Sequence, residues 1–236
     1  MIDFERIYRH PLSSGCTEWE KSDSHCCKMG RLLKGFDENT DLVSLPIMKS
    51  EYSYLEETVD KKHFWPEKPS LHNFSIDGYP IALYLQPCNF GGLCNPDIRP
   101  LICRIYPYIP YIEQDFTVTR IINAALVDLF WGQLPEEDPC ALRTPQLTKK
   151  YLSELTDLIG QLKDQKDNHE FFLWLNIAYI YLESFKAYVI RNIPQNENHL
   201  DFFKVLYLCQ KSQLFLAEDS FKDRLKQEIS FFRKRL

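Results

Sequence analysis

The sequence predicts an α+β protein. An irregular, cysteine-rich N-terminal part with a small antiparallel sheet, residues 1–144, is followed by a C-terminal helical bundle, residues 145–236, packed with it as one unit. Three observations carry this expectation. Seven of the eight cysteines and twelve of the fourteen prolines lie before residue 141. Two β-branched and aromatic runs, 105–112 and 116–122, flank Glu113-Gln114-Asp115 as the arms of a hairpin do. Beyond Pro145, Leu147, Tyr151, Leu152, Leu155, Leu158, Ile159 and Leu162 recur at three- and four-residue steps, the period of a helix with one buried face.

Taken in order, residues 1–36 read as irregular chain held from outside, with Ser13-Ser14-Gly15 and Gly30 around Cys16, Cys26 and Cys27. Leu45-Pro46 opens a short helix running to Val59, because proline is tolerated in a first turn where its missing N–H has no partner to lose. Residues 60–79, with Pro66, Pro69 and Gly78, read as loop, and Ile81 to Leu85 as a short strand. Pro107 and Pro110 make the first hairpin arm an edge or irregular strand. After the Pro145 helix, a second runs from about Glu170 to Asn192, capped by Asn168 and closed by Pro194. It is apolar on most faces and belongs at the centre of the bundle. A third helix is expected from Leu200 to Phe215 and a fourth from Ser220 onward. Arg233-Lys234-Arg235 there suits the negative end of a helix dipole.

Composition narrows function by exclusion. With 28 Lys+Arg against 33 Asp+Glu the chain lacks the basic excess of a nucleic-acid binder. The longest apolar stretch, Phe171 to Leu182, is too short for a membrane span and is interrupted by Asn176. Charges at Asp3, Glu5, Arg6 and Arg9 break any secretory leader. A cytoplasmic protein is therefore expected, with its thiols kept reduced, and clustered cysteines there more often bind metal than form disulfides. Phosphate loops, H-E-x-x-H and G-x-S-x-G are all absent from the sequence.

The cysteines lie at 16, 26, 27, 88, 94, 103, 140 and 209. No C-x(2–4)-C pair is present, so spacing alone gives only part of a metal signature. The adjacent Cys26 and Cys27 point different ways and suit two neighbouring metals, or one cluster and a bystander. Buried apolar thiols are the alternative, and Cys209, among Leu206, Tyr207 and Leu208, is read as one.

The segment Cys88-Asn-Phe-Gly-Gly-Leu-Cys94-Asn-Pro-Asp-Ile-Arg99-Pro100-Leu-Ile-Cys103-Arg104-Ile-Tyr106-Pro107 is more specific. Here the chain resembles the zinc- or iron-chelating cysteine-cluster domain family, named for a C-x2-C-x2-C-C signature. Arg99-Pro100, Cys103-Arg104 and Tyr106-Pro107 match its Arg-Pro-x-x-Cys-Arg-x-aromatic-Pro element, and Cys26-Cys27 matches the end of its signature. Flagellin lysine-N-methylase proteins carry a similar cluster, with a first cysteine placed as Cys16 is here. The resemblance covers roughly residues 10–140. Glu20 and Asp23 stand where that signature has cysteines, which makes His25 and His10 the nearest replacement ligands.

The resemblance implies a metal centre of zinc or an iron–sulfur cluster held by Cys16, Cys26, Cys27, Cys88, Cys94, Cys103, Cys140 and His25. Arg99 and Arg104 flank Cys103, and thiolates around one metal accumulate negative charge. Both guanidiniums are candidates to donate to sulfur or to fix nearby carbonyls. Two further functions are compatible: cluster-dependent methyl transfer to a protein lysine, which rests on family analogy, and an interaction protein in which the metal is structural and the bundle takes a protein partner. Neither a nucleic-acid nor a membrane partner is expected.

Overall fold

The computed structural model describes residues 1–12, 43–59, 69–76, 78–88, 99–105, 108–123, 145–192 and 218–235. The elements are α1 (Phe4–Arg9), β1 (Val43–Met48), α2 (Lys49–Thr58), β2 (Ser70–Ile76), β3 (Tyr79–Cys88), α3 (Leu101–Ile105), β4 (Tyr108–Ile112), β5 (Val118–Asn123), α4 (Pro145–Leu162), α5 (His169–Asn192) and α6 (Asp219–Arg233). Helix and strand are mixed, and the helices after Pro145 follow the sheets, as the sequence predicts. The expected third helix, 200–215, lies outside the described residues.

Among those residues the strands form two antiparallel sheets: a three-stranded one in the order β1-β3-β2 and the two-stranded β4-β5 hairpin. Four expectations need correction. Within residues 1–36, expected to be irregular, Phe4–Arg9 form helix α1, capped by the Asp3 side chain, which accepts from the Arg6 amide at 3.0 Å. The stretch 43–48 is a strand, and the helix begins only at Lys49. The sequence places Pro46 in a first helical turn, yet it lies in β1, an edge strand among the described residues, where proline's missing N–H is tolerated. The supposed loop contains β2, which pairs with β3 from Ile76↔Tyr79 to Ser70↔Leu85. The two arms are joined by Asp77-Gly78, the dipeptide that most favours a two-residue hairpin turn, and Gly78 takes a φ of +76°. Finally, Ile105 ends helix α3 and is not part of the hairpin arm, which starts at Tyr108.

One apolar core joins the N-terminal and C-terminal parts. Ile2 ahead of α1, Phe4 and Ile7 from α1, Leu101 and Ile105 from α3 and Ile109 and Ile112 from β4 enter it. So do Leu155, Leu158, Ile159 and Leu162 from α4, most of the first half of α5, and Phe221, Leu225, Ile229 and Phe232 from α6. The α4 residues are buried at the four- and three-residue steps read from the sequence. A small satellite, Ile47 and Leu55 with Tyr84 against them, ties α2 to β1 and β3.

Asn168 precedes α5 but spends its side chain elsewhere. Its Oδ1 accepts from the Asp3 amide at 2.8 Å and its Nδ2 donates to the Leu162 carbonyl at 3.0 Å, which locks the α4–α5 corner to α1. Among the described residues no helix is long and apolar enough to cross a membrane.

Candidate functional site

The Arg99-Pro100-Leu-Ile-Cys103-Arg104 segment folds as one tight turn of helix. The Pro100 carbonyl accepts from the Cys103 amide at 2.8 Å and from the Arg104 amide at 3.0 Å. Leu101 and Ile105 bury one side of α3. Cys103 is left half-buried.

Both ends of this turn are tied to distant parts of the chain. At its start, the Leu101 amide donates to Glu51 Oε1 at 2.6 Å. The same oxygen accepts from the Tyr8 hydroxyl at 2.6 Å. Glu51 is therefore a fully buried carboxylate that joins α1, α2 and α3 at one point. Burial pushes its pKa up to about 7, while the Tyr8 hydroxyl, the Leu101 and Met48 amides and the Arg104 charge hold it down. Burial and the neighbouring carboxylate push the Tyr8 hydroxyl well above its ordinary range, so it remains a donor. At the other end, the Tyr151 hydroxyl on α4 reaches the carbonyls of Ile105 and Tyr108, each at 2.7 Å.

Arg104 crosses back to α1. Its Nη2 donates to the Tyr8 carbonyl at 2.8 Å and the His10 carbonyl at 3.3 Å, and its guanidinium lies 5.1 Å from the centre of the Tyr8 ring. This closes the C-terminal end of α1, where carbonyls lack helical partners and a positive charge suits the dipole. Arg99 is buried beside the start of α3.

His10, just past α1, is buried, and its Nε2 lies 3.0 Å from Asp157 Oδ2 on α4. Asp157 is largely exposed, and the same oxygen accepts from Gln161 Nε2 at 2.9 Å. The His10 Nδ1 is buried with no hydrogen-bond partner among the described residues. An open groove of about 460 Å³, lined by Arg6, Arg9, Asp157 and Gln161 among others, runs over this pair.

Cys88 is the last residue of β3, opposite Val43, whereas Met48 at the other end of β1 pairs with Leu83. Five residues of strand, roughly 16 Å, separate these two ends. Glu51, which anchors the α3 turn, follows just after the Met48 end. Cys16, His25, Cys26, Cys27, Cys94 and Cys140 lie outside the described residues. Among the described residues no group of three or more His, Cys, Asp and Glu side chains converges as a metal site would need. Two residues that the sequence did not single out, Glu51 and Asp157, prove central to this region. Comparison with known proteins found no matching family model, no similar curated protein and no similar solved structure.

Proposed function

We propose that the chain is a metal-binding protein that holds zinc or an iron–sulfur cluster through its clustered cysteines. Cys103 is the ligand presented by the α3 turn. Cys16, Cys26, Cys27, Cys88, Cys94 and Cys140, with His25, supply the others. The observation that carries the reading is the fixing of the Cys103 turn at both ends by residues about 50 positions away, Glu51 before it and Tyr151 after it. These bonds fix the backbone on either side of Cys103, and fixed surroundings help to orient a metal ligand. Arg104, the residue after Cys103, holds the Tyr8 and His10 carbonyls and so ties the α3 turn to the end of α1. Arg99 is buried just before that turn.

Because the ligands lie far apart in sequence, metal binding on this reading contributes folding free energy. Stripping the metal with a chelator, or Cys103→Ala, is expected to lower the melting temperature and unfold the first part of the chain. Melting of the metal-free protein indistinguishable from the metal-loaded form would overturn the proposal.

A further inference from the structure

We propose that the Glu51 carboxyl is a proton-operated latch on the α3 turn: protonated, it keeps α3 docked against α1 and α2, and ionised, it lets α3 open to solvent while the rest of the fold stays closed. The latch needs no metal and stands apart from the metal-binding reading above. Its basis is first a junction carried by a single oxygen. Glu51 Oε1 accepts from the Tyr8 hydroxyl on α1 and from the Leu101 amide at the start of α3, each at 2.6 Å. Oε2 is buried as well, yet it has no hydrogen-bond partner among the described residues. An ionised carboxylate has about four acceptor sites over its two oxygens and gives up its water on burial. With one oxygen bare, charge on Glu51 is poorly compensated.

Second, the neighbouring groups only partly offset that burial. The Arg104 guanidinium on α3 favours the ionised form, but it is bonded to the Tyr8 and His10 carbonyls and stacks near the Tyr8 ring. The Tyr8 hydroxyl from α1, the Leu101 amide from α3 and the Met48 amide from the end of β1 are neutral donors. The Cys103 thiol acts on Tyr8, Arg99 is buried just before α3, and Gln86 is the buried polar residue of β3. Burial outweighs the favourable contacts and places the proton loss within the physiological range, at about 7.

Third, the element that the latch holds is weak on its own. α3 has five residues, too few for a helix to persist without tertiary contacts. Leu101 and Ile105 bury one side of it, and Glu51 ties its start. The Asn176 clamp on the β4-β5 hairpin and the α4–α5 corner at Asn168 do not involve Glu51. Such short, singly tethered units open before the whole fold does. Opening hydrates Glu51 and returns its carboxyl to the ordinary 4.5, so proton loss and opening favour each other. The closed turn is therefore most secure below pH 4.5 and weakens as pH rises to 7 and beyond. Between pH 6 and 8 its opening equilibrium should rise about tenfold. Cys103, half-buried in the closed turn, is the side chain this opening exposes.

The test is amide hydrogen exchange of the full chain, followed residue by residue and corrected for the intrinsic rate at each pH. In the wild type the Leu101 and Cys103 amides should exchange about tenfold more readily at pH 8 than at pH 6, through an opening that low denaturant does not accelerate. In Glu51→Gln, which keeps an acceptor for both donors and removes the charge, that rise should vanish. No rise in the wild type, or an equal rise in Glu51→Gln, would overturn the inference. So would Leu101 and Cys103 amides that exchange only as slowly as the Ile112 amide and with its denaturant dependence, because α3 would then open only with the whole fold. If Glu51→Gln does not fold, the pH and denaturant dependence of the wild-type amides decides by the same outcomes.

Discussion

Glu51 is the residue on which three elements depend, and its chemistry predicts a pH effect. Its pKa in the folded chain is about 7, against an ordinary value of 4.5. Below pH 4.5 the carboxyl is protonated in both folded and unfolded chains and carries no penalty. Between 4.5 and 7 the folded chain holds the proton more tightly, so its stability falls as pH rises, and above 7 the full cost of a buried charge is present. That cost is about 3 kcal/mol. Glu51→Gln keeps an oxygen for the Tyr8 hydroxyl and the Leu101 amide without the charge. Denaturant unfolding across pH 4.5–8 should show this part of the slope flattened in the variant. Glu51→Ala should lose about 2–4 kcal/mol below pH 4.5, because it strands two buried donors, and progressively less as pH rises toward 7, where the wild type carries the cost of the buried charge. Nothing in the sequence announced this residue. In Lys49-Ser50-Glu51-Tyr52 it looks like any solvent-facing helix acid, and its partners at 8 and 101 arrive only through tertiary folding. Asp157 was hidden for the same reason, whereas Arg104 was visible because it adjoins a cysteine.

At the scale of elements, one side chain ties the backbone of the β4-β5 hairpin at its register shift to the bundle. Asn176, fully buried on α5, accepts from the Ile112 amide at 2.8 Å and donates to the Ile112 carbonyl at 2.8 Å and to Glu228 Oε2 at 2.9 Å. The pairing register shifts between Tyr111 and Ile112, and the Asn176 amide takes up the backbone groups at that irregularity. Glu228 also accepts from the Tyr111 hydroxyl. Asn176→Leu, of similar size, should destabilise the fold by about 2–4 kcal/mol, read from the denaturation midpoint at unchanged slope. A loss under about 0.5 kcal/mol would show that the clamp is not needed. In the sequence Asn176 only marked a break in an apolar run. α4 and α5 were legible because periodicity repeats over several turns. β2 was not, since Leu71, Asn73 and Ser75 line an exposed face with little apolar contrast, although the Asp77-Gly78 turn was there to be read.

Across the whole molecule, the first twelve residues are structural. Ile2, Phe4 and Ile7 are buried in the common core. The Asp3 amide bonds Asn168, and Arg6 Nη1 donates to the Gln161 carbonyl at 3.1 Å. Burying those three side chains contributes roughly 5–8 kcal/mol, comparable to the net stability of a domain. Removing residues 1–12 should therefore abolish cooperative unfolding of the helices after Pro145 as well, monitored by circular dichroism; an unaltered helical transition would mean the two parts fold independently. Composition foretold the change of character near residue 145 but not this interlock, because the contacts span more than 150 positions. The claim that the cysteines form a metal centre is tested most directly by quantifying zinc, iron and acid-labile sulfide in the anaerobically purified chain. The account predicts at least one tightly held zinc ion per chain, or iron with matching sulfide, and its loss in Cys103→Ala. A chain that carries no metal, or that keeps its full metal content without Cys103, would contradict it.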